Sequence, residues 1–432
     1  MKALGIDAGT TTVCAAVVEN GVLLDSVTAP NNSALVAANQ WEKAQDPNII
    51  RDAALKAADE LFEKHPDIAK IGVTGQMHGI LYLDGEGAPL SPLYTWQDGR
   101  GNLPYDSCRS YAAYLGELTG YGVSSGYGSV THFYNVKNGI APENAAVFCT
   151  VHDYIAMSLC GNSSSVTDST DGASFGLFDL KKNCFDAEAF AKAGMSPAIL
   201  PKISDGSPIG FYKGSVPVYA AIGDNQASFI GASGGRRETM LINVGTGSQF
   251  SAYTEEYMEC PGLDTRPFPG GGYLIVGASL CGGRAYALLE RFFRESVKEI
   301  TGRSPESCYD AMAEILSEGM PDNIPTVSPL FQGTRENPDL RGSITGLDTD
   351  NFTPRHLLWG MLNGMARELY DMYLGYKNAG GADYELTGSG NGLRKNKYLQ
   401  ERFEKLFGMP IKMSDCREEA ACGAALYAIG KS

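Results

Sequence analysis

The sequence lacks any long apolar stretch. No segment contains the ~20 consecutive apolar residues that are needed to span a bilayer, and the first ten residues lack the apolar core of a secretion signal. Basic runs with interleaved aromatic residues are also missing, and a formal net charge of -15 at pH 7 would repel a phosphate backbone. We therefore expect no membrane and no nucleic acid as a partner, and a cytoplasmic location.

Paired cysteine motifs are missing as well. The ten cysteines are scattered singly, in apolar or strand-like contexts such as those of Cys14, Cys149, Cys281 and Cys422. This pattern predicts reduced thiols in protein cores and argues against structural zinc.

No proline-rich or serine-rich linker divides the chain, although 432 residues are too many for one compact core. A hydrophobic content of 43% and a charged content of 20% are typical of an ordinary folded protein. The Gly-dense stretch at residues 231–237 is the best candidate for a hinge. We therefore predict an N-terminal domain at residues 1–232 and a C-terminal domain at residues 233–432.

The strand pattern at the start of each half is similar. Apolar runs at residues 3–7, 11–18 and 22–27, a helical pattern at about 47–64 and a strand at 70–74 give a β-β-β-α-β order, which is typical of a ribonuclease-H-like half. A strand, a Gly/Thr turn and a second strand recur at residues 240–254. We interpret the repeat as an internal duplication whose two turns face each other across a cleft. The alternative is two unrelated hairpins, because Gly and Thr are common in turns.

The first Gly/Thr turn carries a carboxylate, Asp7, followed by the hydroxyls of Thr10, Thr11 and Thr12. A carboxylate can hold hydrated Mg²⁺, while hydroxyls and backbone amides can contact the phosphates of ATP. The second turn repeats the small residues in Gly245, Thr246 and Gly247. The alternative for each turn is a purely structural role.

A second carboxylate, Asp224, follows an apolar strand predicted at residues 218–222, at the point where a helix of small residues begins. A carboxylate at such a position can accept the proton of a hydroxyl that attacks phosphorus. The alternative is that Asp224 is an N-cap for that helix.

Two further segments mix polar and aromatic groups. Gly75 to Gly79 includes Gln76, Met77 and His78, and Thr95 to Arg100 includes Trp96, Asp98 and Arg100. Such a mixture suits a polyol, because its hydroxyls need polar partners and its C–H faces pack on aromatic rings. The alternatives are a structural His78, a core Trp96 and an ordinary ion pair between Asp98 and Arg100.

A third small-residue turn, Thr387 to Gly392, lies between a predicted strand and a helix. Its backbone can approach a flat ligand or a phosphate closely. It matches neither the G-x-G-x-x-G spacing nor a G-x-x-x-x-G-K-[ST] loop, and the latter occurs nowhere in the chain.

Taken in order, these segments resemble the FGGY carbohydrate kinases. The matching motifs are Gly5 to Thr11, Gly75 to Gly79, Gly223 to Ala227, Asn243 to Ser248 and Gly388 to Asn391, with Gly342 to Leu347 followed by His356 and Leu357 similar to the family's C-terminal signature. Gly360 and Asn363 depart from that signature, and residues 130–135 depart from the N-terminal one.

The resemblance implies an α/β fold of two ribonuclease-H-like domains of the actin/hexokinase ATPase type with a central cleft. It implies a sugar site in the N-terminal domain and an ATP site on the C-terminal one. Matched by position, the resemblance implies that Asp7 binds Mg²⁺ and that Thr10, Thr11 and Thr246 contact phosphates. Asp224 is the base, and the sugar contacts are Gln76, Met77, His78, Trp96, Asp98 and Arg100. The adenosine neighbours are Gly388, Gly390, Asn391 and Asn396.

Within the family, residues 95–100 and His152 to Tyr154 are most similar to the sedoheptulokinase branch, with the xylulokinase branch close. The expected reaction is ATP-dependent phosphorylation of a ketose at its terminal primary hydroxyl, with sedoheptulose favoured over xylulose or another polyol. A different class, an actin-like or chaperone-like ATPase switch, would need the phosphate turns but no polyol pocket. The assembly stays open, with a homodimer as one option.

Overall fold

The computed structural model describes residues 1–334, 337 and 339–431. The chain forms two compact units. The first comprises Met1–Arg237, Arg266–Tyr273 and Cys416–Ser432, and the second comprises Glu238–Thr265 and Leu274–Asp415. Within the described part of the chain, no helix is both long and apolar enough to cross a membrane.

The secondary structure is mixed. The strands are β1 Lys2–Ala8, β2 Thr12–Glu19, β3 Val22–Pro30, β4 Ala44–Gln45, β5 Ile68–Gly75, β6 Leu81–Leu83, β7 Leu93–Tyr94, β8 Val147–Cys149, β9 Val166–Thr167, β10 Phe178–Asp179, β11 Cys184–Phe185, β12 Lys202–Ile203, β13 Gly210–Tyr212, β14 Val216–Val218, β15 Ile222–Gly223, β16 Thr239–Val244, β17 Ser248–Thr254, β18 Asp264–Pro267, β19 Tyr273–Ser279, β20 Thr326–Ser328, β21 Ser343–Thr345, β22 Glu385–Ser389 and β23 Ile411–Met413. The α-helices are α1 Pro47–Lys64, α2 Tyr111–Thr119, α3 Gly128–Lys137, α4 Val151–Cys160, α5 Ser169–Gly172, α6 Ala187–Lys192, α7 Asp224–Ser233, α8 Gly282–Thr301, α9 Tyr309–Ser317, α10 Pro354–Asn378, α11 Asn391–Arg394, α12 Lys397–Phe407 and α13 Glu419–Gly430. Short 3-10 turns are Arg100–Asn102, Ala173–Phe175 and Pro197–Ile199.

The main sheet of the first unit has the order β13-β14-β5-β1-β2-β3, with β15 also paired to β5. β1 pairs antiparallel with β2 and parallel with β5. Alternate residues of β1 and β2 point to opposite faces of the sheet. Leu4 and Ile6 pack with Ile50 of α1, whereas Ala3 and Cys14 pack against α13. Both faces of these strands are therefore covered, which explains their continuous apolar runs.

Helix α13 sits unusually close to its neighbours in the first unit. A Cβ added at Gly5 of β1 would lie 1.8 Å from a carbonyl oxygen of α13, and one added at Gly72 of β5 would lie 2.0 Å from another. On the helix side, a Cβ at Gly423 would lie 1.7 Å from the carbonyl oxygen of Ala227 in α7. Only glycine permits backbones to approach this closely, so these positions fix α13 against β1, β5 and α7.

The main sheet of the second unit has the order β18-β19-β17-β16-β22-β23. β16 pairs antiparallel with β17 and parallel with β22, as β1 pairs with β2 and β5. Helix α10 buries Leu358, Leu362, Ala366 and Leu369 in the core of this unit. The predicted α/β fold and the repeat of the strand-turn-strand element are thereby confirmed.

Most predicted elements lie within two residues of the observed ones, but three expectations need correction. The strand predicted at residues 218–222 is interrupted, because β14 ends at Val218 and β15 begins at Ile222. Cys416 and Cys422 form a disulfide, so the expectation of unpaired thiols is wrong for this pair. Among the eight free cysteines described, Cys108 and Cys184 are exposed and not core thiols.

Candidate active site

Asp7 lies at the carboxyl end of β1, in register with Thr74 of β5. Burial, and secondly the carboxylate of Asp224, raise the pKa of Asp7 to about 7, whereas the imidazole of His152 acts in the opposite direction. The structure therefore brings the two predicted carboxylates into one electrostatic environment in the first unit. Repulsion between two neighbouring carboxylates favours the binding of positive charge, either a proton or a metal ion such as Mg²⁺.

Asp224 is the first residue of α7, and Gly223 is the N-cap. No side chain caps this helix, so the alternative interpretation of Asp224 as an N-cap is wrong. Burial raises the pKa of Asp224, the charges of Arg266 and His152 lower it, and Asp171 raises it. A carboxylate with a raised pKa at a strand-helix junction is suited to accept a proton near neutral pH.

Thr10 connects the first Gly/Thr turn to two residues of the predicted sugar pocket. Its hydroxyl donates to Oε1 of Gln76 at 3.3 Å and accepts from Nε1 of Trp96 at 3.0 Å. Nε2 of Gln76 donates to Gln45 at 2.7 Å. Gln76 is buried, while Trp96 is 44% exposed and is therefore not a core residue. Thr11 and Thr12 are exposed at the start of β2.

His78 has a left-handed backbone with a φ of 71°, which is uncommon for a residue other than glycine. Its Nδ1 donates to the carbonyl oxygen of Ser174 at 2.7 Å, and its backbone N–H donates to the Ser174 hydroxyl at 3.1 Å. The ring stacks on Tyr127 at 4.5 Å. In the neutral ring the proton is then on Nδ1, which makes Nε2 an acceptor. The neighbouring Met77 is buried against Gly223.

Asp98 and Arg100 form a buried ion pair. Nε of Arg100 donates to Oδ1 of Asp98 at 2.7 Å, and Nη2 donates to Oδ2 at 3.2 Å. The guanidinium also lies 4.0 Å from the centre of the Tyr94 ring. Asp98 and Arg100 are 1% and 5% exposed. The pairing matches the alternative that the sequence left open, and a direct contact of either residue with a sugar stays a prediction.

Behind these residues lies a buried polar cluster that the sequence did not identify as part of a site. His152 and Asp171 are fully buried, with Nε2 of the histidine 2.8 Å from Oδ2 of the aspartate. The hydroxyl of Thr150 donates to the same oxygen at 2.8 Å. Burial raises the pKa of the adjacent Asp153 well above its ordinary value. His152 thus supplies an imidazole that influences both Asp7 and Asp224.

The second unit contains a cavity of about 1400 Å³. Five of the seven nucleotide-binding residues predicted in this unit line it: Gly245, Thr246, Gly390, Asn391 and Asn396. The other two do not line it. Gly247 packs against the carbonyl oxygen of Ser279, and Gly388 packs against Ile411 of β23. Asn396 is also the N-cap of α12, where its side chain accepts from the backbone N–H of Leu399 at 3.1 Å.

Several residues of this cavity were not predicted. Arg284, Tyr286 and Tyr309 come from α8 and α9, and the two tyrosine rings stack at 6.0 Å. The remaining unpredicted lining includes Ala287, Ala313, Leu316, Met365, Arg394, Lys395 and Lys397. In sequence, the apolar members are indistinguishable from helix positions that face a core.

The cavity of the second unit has the chemistry that ATP requires. The cavity offers small-residue turns, where Gly390 has a φ of 85°, together with cationic side chains and an apolar wall. In the part of the chain that the structure describes, no group of three or more His, Cys, Asp or Glu residues could hold a metal by itself. Asp7 would therefore hold Mg²⁺ with water and phosphate oxygens as the other ligands, which is how this ion is usually bound.

Two family models match nearly the whole chain. The model for the N-terminal domain of the FGGY family of carbohydrate kinases matches residues 2–231, and the model for the C-terminal domain matches residues 240–430. Sedoheptulokinase from Mus musculus is 28% identical over an alignment of 473 positions including gaps, which covers 98% of this chain and 96% of that protein. Xylulose kinase from Streptomyces coelicolor is 26% identical, with 99% of this chain and 87% of that protein covered.

Solved structures show the same fold. The crystal structure of xylulose kinase from Rhodospirillum rubrum superposes with a TM-score of 0.85 at 21% identity, over 99% of this chain and 90% of that one. This likeness confirms the predicted two-domain class and carries no information about the acceptor.

Proposed function

The chain belongs to the FGGY family of carbohydrate kinases, and from that membership we propose that it transfers the γ-phosphate of ATP to the terminal primary hydroxyl of a ketose. Sedoheptulose, giving sedoheptulose 7-phosphate, is the proposed acceptor. The observation that carries the proposal is that Asp7 at the end of β1 and Asp224 at the start of α7 lie in the same unit as Gln76 and His78, with the charge of Asp224 raising the pKa of Asp7. The sugar site is assigned to residues 1–232 and the ATP site to residues 233–432.

The proposed chemistry is an in-line displacement. Asp224 accepts the proton of the attacking hydroxyl, the hydroxyl oxygen forms a bond to the γ-phosphorus, and the bond from that phosphorus to the β,γ-bridging oxygen breaks. ADP leaves with the bridging oxygen, and the proton is later released from Asp224 to water. Mg²⁺, when bound, supplies positive charge that offsets the charge of the phosphate oxygens.

The proposed sugar contacts divide by chemistry. Nε2 of His78 and the amide of Gln76 are the groups suited to hydroxyls, and the exposed ring of Trp96 is suited to a C–H face. Met77 supplies an apolar contact. Asp98 and Arg100 shape the pocket wall through their ion pair, because their donors and acceptors already serve each other.

Most of the proposed nucleotide contacts belong to the small-residue turns. Thr10, Thr11 and Thr12 of the first unit and Thr246 of the second are assigned to phosphates. Gly245 and Gly247 keep the turn around Thr246 narrow, because the N–H of the first donates to the carbonyl of the second at 2.9 Å. Gly388, Gly390, Asn391 and Asn396 are assigned to the adenosine side.

The choice of acceptor rests on small differences. The mouse sedoheptulokinase is 28% identical to this chain and the Streptomyces xylulose kinase is 26% identical. Gluconokinase and glycerol kinase are also among the relatives. The alternative is therefore xylulose or another pentulose or polyol, with the same chemistry. A cytoplasmic location and a homodimeric assembly belong to the same proposal, and light scattering of the purified chain measures the assembly.

The decisive experiment assays ADP release from Mg-ATP with sedoheptulose, D-xylulose, D-ribulose, gluconate and glycerol, each at matched concentrations. Phosphorus NMR of the product then identifies the phosphorylated carbon. We expect the highest kcat/KM with sedoheptulose and a 7-phosphate product. A higher value with D-xylulose would change the acceptor and keep the chemistry. ADP release that no sugar stimulates would reject the kinase proposal in favour of an ATPase switch.

A further inference from the structure

One segment of the first unit is embedded, in sequence, between two stretches of the second. Arg266–Tyr273 packs with the first unit, whereas Glu238–Thr265 and Leu274–Asp415 form the second. The segment runs along α7. The carbonyl oxygen of Pro267 accepts from Nε2 of Gln226 at 2.8 Å, and the ring of Phe268 meets that of Phe229 edge-on at 5.7 Å.

The first residue of this segment is linked to the proposed base through one side chain. Nη1 of Arg266 donates to Oδ1 of Asn225 at 2.8 Å. Nδ2 of Asn225 donates to Oδ1 of Asp224, also at 2.8 Å. Both bonds are half-buried, which strengthens them relative to the same bonds in water.

The direction of this chain of hydrogen bonds is fixed by chemistry. A guanidinium has only donors, so the atom of Asn225 that faces Arg266 must be the carbonyl oxygen. The amide nitrogen must then face Asp224, and its N–H engages Oδ1 of the carboxylate. Without Arg266 the amide could turn by 180° and present an oxygen to the carboxylate, which would repel it. Arg266 therefore determines which end of the Asn225 side-chain amide faces Asp224.

We infer that Arg266, acting through Asn225, is a positioning residue that holds Oδ1 of Asp224 and leaves Oδ2 oriented to receive the proton of the attacking hydroxyl. This inference rests on the proposed function, in which Asp224 is the base. It assigns the bridge Arg266–Asn225–Asp224 to catalysis, although neither Arg266 nor Asn225 belongs to a motif of the phosphate turns.

The electrostatics of Asp224 agree with the geometry. Arg266 and His152 lower the pKa of Asp224, whereas its burial and the carboxylate of Asp171 raise it, and Asp224 in turn raises the pKa of Asp7. Among the effects that lower its pKa, that of Arg266 is the largest. The same guanidinium that orients the carboxylate thus also favours its ionised form.

The sharpest variant is Asn225→Asp. It has the same shape, and its carboxylate can still accept from Arg266, but it has no N–H to donate to Asp224. If the bridge only anchors the segment, this variant keeps its kcat and unfolds at the same or a higher temperature. If the bridge positions the base, we expect kcat to fall by about 10- to 100-fold, while the KM for ATP stays within about twofold of the wild type.

The matched pair Arg266→Met and Arg237→Met tests the other end. Arg237 holds the same segment at a different point, because its Nη2 donates to the carbonyl oxygen of Pro269 at 3.1 Å, whereas Arg266 donates to Asn225. We expect Arg266→Met to reduce kcat by about 10- to 100-fold, Arg266→Lys to restore part of it, and Arg237→Met to leave it unchanged. The double variant Arg266→Met/Asn225→Asp should lose no more than the worse single variant, because the two act as one unit.

The outcomes separate the two proposals. A wild type that phosphorylates no sugar in the panel would remove the proposed function and this inference together. A wild-type kinase for which both Asn225→Asp and Arg266→Met keep kcat within about twofold would overturn the inference alone. Equal losses in Arg237→Met and Arg266→Met would also overturn it, because they would indicate general loosening of the segment. Thermal unfolding of every variant identifies misfolded ones, and Asn225→Asp carries the test if Arg266→Met does not fold.

Discussion

A methyl group added at Gly423 should push apart the two helices that carry and support the proposed base. The added Cβ would lie 1.7 Å from the carbonyl oxygen of Ala227 in α7 and 2.9 Å from the backbone nitrogen of Gly231. Both neighbours are backbone atoms, so no change of rotamer relieves the contact. Reaching 3.0 Å, below which real Cβ contacts essentially never lie, requires the helices to separate by about 1.3 Å, the difference between 3.0 and 1.7 Å.

The magnitude follows from two opposing effects. Overpacking of a well-packed core costs about 1–3 kcal/mol, occasionally more, whereas replacing glycine by alanine inside a helix contributes about 0.5–1 kcal/mol in the other direction. A backbone clash of this depth belongs at the upper end, so we expect Gly423→Ala to lose about 2 kcal/mol. For a unit of this size that corresponds to a fall in Tm of about 4–8 °C.

Activity should respond more strongly than stability. Asp224 is the first residue of α7, and a displacement of about 1 Å at a catalytic group can reduce kcat by about 100-fold. The assay is calorimetric Tm together with initial rates on the best ketose. Gly430→Ala is the matched control, because Gly430 lies on the same helix with no atom within 4 Å of an added Cβ. A Gly423→Ala variant as stable and active as Gly430→Ala would refute the packing described for α13.

Three further predictions use other residues of the first unit. The pKa of Asp7 is about 7 in the folded chain against 3.8 unfolded, so burial favours its protonated form and the free energy of unfolding falls as pH rises from about 4 to 7. In thermal scans without Mg²⁺ and nucleotide, Asp7→Asn should therefore have a higher Tm than the wild type at pH 8, and the difference should shrink towards pH 4. Arg100→Met leaves the buried Asp98 without its charged partner, so the free energy of unfolding in urea should fall by about 3–5 kcal/mol, and adding Asp98→Asn should recover part of that loss. An Arg100→Met variant with the free energy of unfolding of the wild type would contradict the structural role of the pair. Trp96→Phe keeps an aromatic face but loses the hydrogen bond to Thr10, so initial rates should show a KM for the sugar raised about two- to tenfold and an unchanged KM for ATP. A rise in the KM for ATP alone would place Trp96 outside the sugar site.

Local patterns were enough to predict the regular elements. Asp46 before Pro47 is a standard helix start, and the structure places α1 at Pro47–Lys64 with Asp46 as its N-cap. The Asn20-Gly21 turn between β2 and β3 has both φ values positive, 52° and 81°, as a tight hairpin requires. Such signals lie within a few residues of the structure they determine.

Tertiary placement was harder to predict. The sequence indicates that α13 is a helix of small residues, but not that it packs against β1 and β5, more than 300 residues earlier in the chain. The reason is visible only when Gly5, Gly72 and Gly423 are considered together, because each glycine removes the side chain that would keep the backbones apart.

The same limit applies to the site. Motifs next to strand ends were enough to predict Asp7 and Asp224 as candidate site residues, because each carboxylate lies beside a strand end that the apolar pattern already indicates. Ser174, which holds His78, and Arg266, which holds Asn225, lie 96 and 41 residues from their partners. Nothing in their local sequence distinguishes them from ordinary polar residues, so only the fold reveals them.

Proton transfer to Asp224 is the central step of the proposed reaction, and it is tested most directly by the kcat of Asp224→Asn with the best ketose, alongside ATP binding by calorimetry. Asparagine has nearly the same shape but cannot accept the proton. We expect kcat to fall by about 100- to 10,000-fold while ATP still binds with the affinity of the wild type. An Asp224→Asn variant that keeps most of its kcat would contradict the assignment.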